Sequence, residues 1–215
     1  MPIIFQHPAE PSPSLAVWRI VEPLYFFEST VPEASYISHP QVRLRHVAAR
    51  YLLNELMPGF PYAQLQIAES GKPHIPGDGL HFSLSHCGDY AAAIISEAGS
   101  VGIDLEASGD RIFRIRHKFL SDEEQSVLQS NAGLPDLQEG GEAARWLTRA
   151  WSAKESIYKW YGALGIDFIK DISLAAVDVA AQKMCFHFAP ADAKLWLSYR
   201  SLEGLELTWV GDSQM

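Results

Sequence analysis

Asp104 and Glu106 stand two residues apart in the stretch VGIDLE, residues 101 to 106. On a strand, positions two apart share a face, so both carboxylates project to one side while Ile103 and Leu105 point into a core. Carboxylates held that close repel unless a proton or a cation lies between them. Two readings stand. One is a solvated strand face; the other is an oxygen-donor site for a hard cation, with magnesium favoured because it suits carboxylates and keeps places for water and phosphate oxygens.

A third carboxylate lies in WSAKESIYK, residues 151 to 159. Ser152, Glu155 and Lys159 fall at i, i+3 and i+7 on one helix face, with Ala150, Ile157, Trp160 and Tyr161 available for the buried side. Alone, Glu155 and Lys159 make an i, i+4 ion pair worth about 0.3 kcal/mol. A solvated face seldom carries so many large aromatics, which points to a helix packed around its charges. Glu155 can then complete a metal site begun by Asp104 and Glu106, while Lys154 and Lys159 meet its anionic ligand.

Three smaller signals accompany these. In Gly71-Lys72-Pro73 the proline keeps Lys72 extended and the glycine permits a tight turn, so the lysine projects from a stiff loop. Ser85 and His86 close the alternating run LHFSLSH at a turn, and a histidine there is either a turn residue or a ligand contact. No G-x-S-x-G elbow surrounds Ser85, which argues against a serine hydrolase. Arg43 and Arg50 share a helix face and Arg45 lies on another; their planar forks suit phosphate, and solvated arginines are the plain alternative.

The elements that must position these residues are readable in outline. IIFQH and LAVWRI read as short strands around a turn rich in proline, at positions 8, 11 and 13. Apolar residues from Gln41 to Met57 recur at helical spacing and stop at Pro58-Gly59. LHFSLSH and YAAAIIS form a hairpin, and SVGIDLE follows as a third strand. Ser121 and Glu124 make a capping box for a helix, and a second helix runs from about Glu142 to Tyr161, closed by Gly162. Four alternating runs, ISLAAVDV, MCFHF, LWLSYR and LELTWV, read as an antiparallel meander. The order suggests an α+β protein of two similar halves meeting near residues 97 to 100.

At 215 residues the chain can bury a sizeable core. Its net charge of -9 disfavours bulk attraction to nucleic acid or anionic membrane, so any bound phosphate needs a local basic pocket. It also counts against a nuclease built on D-x-E and K-E. Cys87 and Cys185 are the only cysteines, too few for a disulfide framework or a cysteine-rich zinc site. No apolar run reaches the roughly 18 residues of a spanning helix, and the start lacks the pattern of a signal peptide. A cytoplasmic protein is expected.

In this order along the chain, GKP, SLSH, VGIDLE, FLSDEE and WSAKESIYK resemble the 4′-phosphopantetheinyl transferase superfamily, over residues 40 to 165. The likeness is to its longer, surfactin-synthetase-activating type rather than to the short trimeric holo-acyl-carrier-protein synthase. It implies an enzyme that moves the phosphopantetheine arm of coenzyme A to a serine of an apo acyl or peptidyl carrier protein, releasing adenosine 3′,5′-bisphosphate. The implied fold is a pseudo-dimer of two α+β halves, each a three-stranded antiparallel sheet against a long helix, with coenzyme A in the cleft between them. Residues 1–98 and 99–215 are the corresponding halves, and a monomer is expected.

Carried over by motif, Asp104, Glu106 and Glu155 look like the magnesium ligands. Lys154 and Lys159 look like lysines at the phosphates, Lys159 being placed to stabilise or protonate the leaving phosphate. Glu155, directly or through a metal-bound water, is the implied base for the carrier serine. Ser85 and His86 resemble a phosphate-contacting pair, Lys72 the lysine of GKP, and Arg45 the arginine for the 3′-phosphate, with Arg43 competing for that alignment. Members of this type often carry extra basic residues before the Arg45 helix; here VPEASYISHPQ offers only His39. The run DRIFRIRHKFL, with Arg111, Arg114, Arg116, His117 and Lys118, is either a carrier docking surface or a solvated helix start. The alternative to a transferase is a silent module that binds coenzyme A or a carrier.

Overall fold

The computed structural model describes residues 2–7, 13–31, 37–77, 79–134 and 136–212. The turn containing Pro8 and Pro11, and residues 32–36 of the stretch before the arginine helix, lie outside them. Alternation of side chains builds the first layers. Strands β1 (Ile3–His7), β2 (Ser14–Arg19), β5 (His81–Cys87) and β6 (Tyr90–Ser96) form an antiparallel sheet in the order β1-β2-β6-β5. Ala16 and Trp18 of β2 face helices α1 (Leu24–Glu28) and α2 (Pro40–Leu56), where Phe27, Val47 and Leu52 complete a core. Leu15 and Val17 face the other way.

There they meet a second sheet. Its strands are β7 (Val101–Ala107), β8 (Ile172–Asp178), β9 (Lys183–Phe188), β10 (Ala193–Leu202) and β11 (Leu205–Gly211), in the order β7-β11-β10-β9-β8. Ile103 and Leu105 of β7 and Leu207 and Trp209 of β11 pack on the first sheet. The far face carries α3 (Arg111–Ile115), α4 (Asp122–Ala132) and α5 (Gly141–Tyr161), over a core with Leu147, Ile157, Phe186 and Leu197. A two-stranded ribbon, β3 (Gln66–Ile67) with β4 (Pro73–His74), carries Lys72 in its turn.

The protein is thus α+β with antiparallel sheets, of four and five strands rather than the three in each that the family likeness implies. β7 also departs from the expected run. Instead of extending the β5–β6 hairpin it pairs with β11, Asp104 opposite Thr208 and Glu106 opposite Glu206. Its other edge is met by side chains: Ile103 N donates to Ser83 Oγ at 3.3 Å, Leu105 N to Ser85 Oγ at 3.2 Å, and Ala107 N to Cys87 Sγ at 3.2 Å. Alternate residues of β5 therefore join the two sheets where a backbone ladder is absent. The capping box of α4 forms as expected, and Gly162 ends α5 in the left-handed region at φ 74°.

Candidate active site

Asp104 and Glu106 point from β7 towards α5, and α5 is pulled close by small polar residues. Ser156 Oγ donates to the Thr208 carbonyl at 3.0 Å, and Ser152 Oγ lies 3.0 Å from Thr208 Oγ1. Seated this way, α5 turns Glu155 and Lys159 into a cleft that Asp104 and Glu106 also line. Ser85 and His86 at the end of β5, and His46 and Arg50 of α2, form the facing wall.

Lys159 Nζ donates to Asp104 Oδ1 at 2.7 Å and to the Ile103 carbonyl and Ser85 Oγ, each at 3.2 Å. Ser85 Oγ donates to the same Asp104 oxygen at 2.9 Å. The other oxygen of Asp104, Oδ2, is buried without a partner. Burial, then the charge of Asp104, raises the pKa of Glu155 to about 7, and the same causes raise that of Glu106. His86 is pushed below its ordinary value by burial and then by the charges of Lys159 and Arg45. His46 is pushed to about 4 by burial, Arg50 and His86.

The charge of Asp104 raises the proton affinity of Glu155 and Glu106, and its own Oδ2 is buried without a partner, so the three carboxylates are oxygen donors of the kind that suits a hard divalent cation. Among the described residues no group of three or more His, Cys, Asp or Glu side chains is placed to hold a metal ion, so the three carboxylates would have to draw closer together to do so. The cation in contact with Asp104 is the Lys159 ammonium.

Comparison with known proteins matches residues 100–208 to the family described as the 4′-phosphopantetheinyl transferase superfamily. The match covers β7, with its two carboxylates, and α5. The chain belongs to that superfamily. It is 32% identical to the 4′-phosphopantetheinyl transferase AcpT of Salmonella typhi over 137 residues, which is 61% of this chain and 67% of the relative. It is 33% identical to enterobactin synthase component D of the same organism over 135 residues, 60% of this chain and 51% of the relative. It is 32% identical to AcpT of Escherichia coli K12 over 124 residues, 56% and 58%.

In this transferase not every expected residue reaches the cleft. Lys154 is corrected to a different place: its side chain is 0% exposed, and its Nζ lies 2.6 Å from Glu124 Oε1 and donates to the carbonyls of Phe119 and Phe168 at 2.6 and 2.7 Å. One helical step, about 100°, separates it from Glu155 and turns it into the protein. Ser152 is likewise buried against Thr208, whereas Tyr161, expected on the buried side, is 40% exposed. Ser85 lies in the cleft, but its hydroxyl is engaged by Asp104, Lys159 and the Leu105 amide.

Gly71 and Pro73 reach the cleft, while Lys72 lines an adjoining cavity with Tyr158 and Lys159. Its Nζ donates to the Trp160 carbonyl at 3.2 Å, at the C-terminal end of α5, and burial lowers its pKa. Arg43 is paired with Glu28, while Arg45 keeps a charge felt at His86 and Cys87. His46 was not singled out by sequence reasoning. Its position one turn before Arg50 was the available signal, visible only if that face of α2 was known to be the cleft wall.

Proposed function

We propose that this chain transfers the 4′-phosphopantetheine arm of coenzyme A to a serine of an apo acyl or peptidyl carrier protein, with magnesium held by Asp104, Glu106 and Glu155. One observation carries the reading: residues of β7 and α5, about fifty positions apart, converge as three carboxylates and one lysine in a single cleft. Magnesium, when bound, supplies positive charge against the pyrophosphate and favours the ionised forms of the three carboxylates.

The residues of the chain do the rest. Lys159, already directed at Asp104, moves its ammonium to the leaving phosphate and offsets the charge that develops there. Glu155, directly or through a bound water, accepts the proton of the carrier serine. His86, Arg45 and Arg50 present donors to the nucleotide phosphates, and Lys72 approaches from the adjoining cavity. The nucleophile comes from the carrier, so the enzyme needs none of its own.

Two units support the surfactin-synthetase-activating type, residues 1–98 with α2 on the first sheet and 99–215 with α5 on the second. On this reading they are the halves of a pseudo-dimer that works as a monomer in the cytoplasm. Among the described residues no helix is long and apolar enough to cross a membrane. Incubation with coenzyme A, magnesium and a panel of apo carriers tests the assignment by mass spectrometry. A carrier should gain one arm, and Asp104→Ala should abolish the gain; no gain on any carrier defeats the reading.

A further inference from the structure

A hollow of about 700 Å³ opens between the end of β2 and helices α1 and α2, and it shares no lining residue with the cleft. Trp18, 4% exposed, is its floor; Phe26 of α1 and Tyr51 of α2 are its walls. The three rings form a triangle, with centroids 5.6 Å apart for Trp18 and Tyr51, 5.4 Å for Phe26 and Tyr51, and 6.4 Å for Trp18 and Phe26. A point above that triangle lies within about 6 Å of all three centroids, the range over which a ring attracts a cation. Two carboxylates stand beside the rings. Glu22 Oε2 accepts from Trp18 Nε1 at 3.0 Å and from the Val21 amide at 3.3 Å, and Glu55 is hydrogen-bonded to the Tyr51 side chain. Burial, then that bond and the charges of Glu55 and Glu22, raise the pKa of Tyr51, so both carboxylates bear on one hydroxyl. Among the described residues neither Glu22 nor Glu55 has an ion-pair partner, and Arg19, the cation of the lining, pairs with Glu203 at 4.0 Å. Val21 and Phe26 leave apolar surface open to the same space, at 70% and 37% exposure.

We propose that this hollow binds a small organic ammonium ion, a protonated primary amine carried on an apolar or aromatic body. Ring faces are negative at their centres, and two carboxylates without a counter-ion lie beside them, so the hollow is short of positive charge. An ammonium supplies that charge and three N–H donors with which to bridge Glu22 and Glu55. An anion is repelled by the same groups, and a neutral ligand gains only the apolar contact with Val21, Phe26 and Tyr51. The volume is that of a small-molecule site and exceeds what the tip of a lysine side chain fills, which favours a free amine over a protein segment. Helix α2 keeps the two sites apart: Tyr51 and Glu55, one turn from each other, line the hollow, while His46 and Arg50, also one turn from each other, line the cleft. The amine site is therefore independent of the coenzyme A chemistry.

Titration of the full chain by nuclear magnetic resonance, followed at the Trp18 indole N–H, tests the site with three probes of one shape: benzylamine, benzyl alcohol and benzoate. The spectrum of Trp18→Phe assigns the signal. Benzylamine should shift it with a Kd of about a millimolar or tighter, benzyl alcohol should bind at least about tenfold more weakly, and benzoate should leave it unmoved. Glu55 and Phe26 are exposed, so Glu55→Gln and Phe26→Leu should keep the wild-type melting temperature. Each should weaken benzylamine about fivefold or more, and Arg19→Gln should bind it at least as well as wild type. Nα-acetyl-lysine amide, which stands in for a protein side chain, should bind more weakly than benzylamine. No shift up to about 20 mM benzylamine, equal binding of benzylamine and benzyl alcohol, or wild-type affinity in Glu55→Gln would overturn the ammonium site. Shifts confined to the Ser85 and His86 amides would put the amine in the cleft and overturn it as well. Tighter binding of the lysine amide than of benzylamine would overturn the small amine in favour of a protein partner.

Discussion

Gly102 and Ser156 meet backbone to backbone: a Cβ on Gly102 would lie 1.9 Å from the Ser156 carbonyl oxygen and 2.7 Å from the Trp160 amide nitrogen. No side chain can relieve such a contact, because the obstructing atoms belong to the main chain of α5. This closeness sets the distance between β7 and α5, and with it the reach of Lys159 to Asp104 and of Glu155 to the cleft. Gly102→Ala should push α5 outward and cost about 1–3 kcal/mol of stability through overpacking. Transfer should fall further than stability alone explains. Chemical denaturation and the magnesium dependence of turnover in the folded fraction check this; full activity with native stability would show that the helix can yield.

Lys154 and Lys159, five residues apart on α5, should separate cleanly by mutation. Lys154→Met strands Glu124, which is 2% exposed and also accepts from the Leu174 amide, so a loss of about 3–5 kcal/mol is expected. Coenzyme A affinity of the folded remainder should stay near wild type. Lys159→Met should keep most of the stability and lower kcat by about a hundredfold or more, the usual scale for a lost charge-stabilising donor. Thermal unfolding and steady-state kinetics on both variants decide the matter. The reverse pattern would place Lys154 at the phosphates after all.

What is legible in the sequence follows its local rules. The apolar period of α5, its stop at Gly162 and the Ser121–Glu124 capping box depend on residues within a few positions of one another, and all appear as expected. The inward turn of Lys154 depends on acceptors at Phe119, Phe168 and Glu124, and no helical spacing reveals those partners. β7 is similar. Its alternation places Asp104 and Glu106 on one face, yet its choice of β11 over the preceding hairpin is a long-range pairing. Helix α1, at five residues, is too short to show a period.

Glu155 gives the cleft a pH signature. Its pKa is raised from 4.5 to about 7, so between those values the fold holds a proton that the unfolded chain has released. The native state then binds more protons, and this group's contribution to stability falls as pH rises through that window. His46 acts in the opposite sense: its pKa drops from 6.5 to about 4, so its contribution is complete above 6.5 and is lost as pH falls towards 4. The difference between wild type and Glu155→Gln isolates the first effect. With a chelator present, wild type should lose stability relative to the variant between about pH 5 and about pH 8, and magnesium should shrink the gap. Parallel stability curves in chelator would mean that Glu155 is ionised throughout.

The seam between the sheets is testable outside the cleft. Ser83, 5% exposed, accepts from the Ile103 amide and donates to no residue of the site, so it acts on Asp104 only through the alignment of β5 with β7. Ser83→Ala strands a buried amide and should cost about 1–3 kcal/mol. Ser83→Thr keeps the acceptor and should recover part of that loss. Because Ser85 still ties Leu105 and Asp104 two residues on, kcat of the folded Ser83→Ala enzyme should fall only a few-fold, whereas Ser85→Ala should lower both stability and kcat. Hydrogen exchange at Ile103 is the sharpest readout. Its amide should lose protection in Ser83→Ala while the Leu105 amide keeps it; joint loss of both would mean that the seam opens as one unit rather than bond by bond.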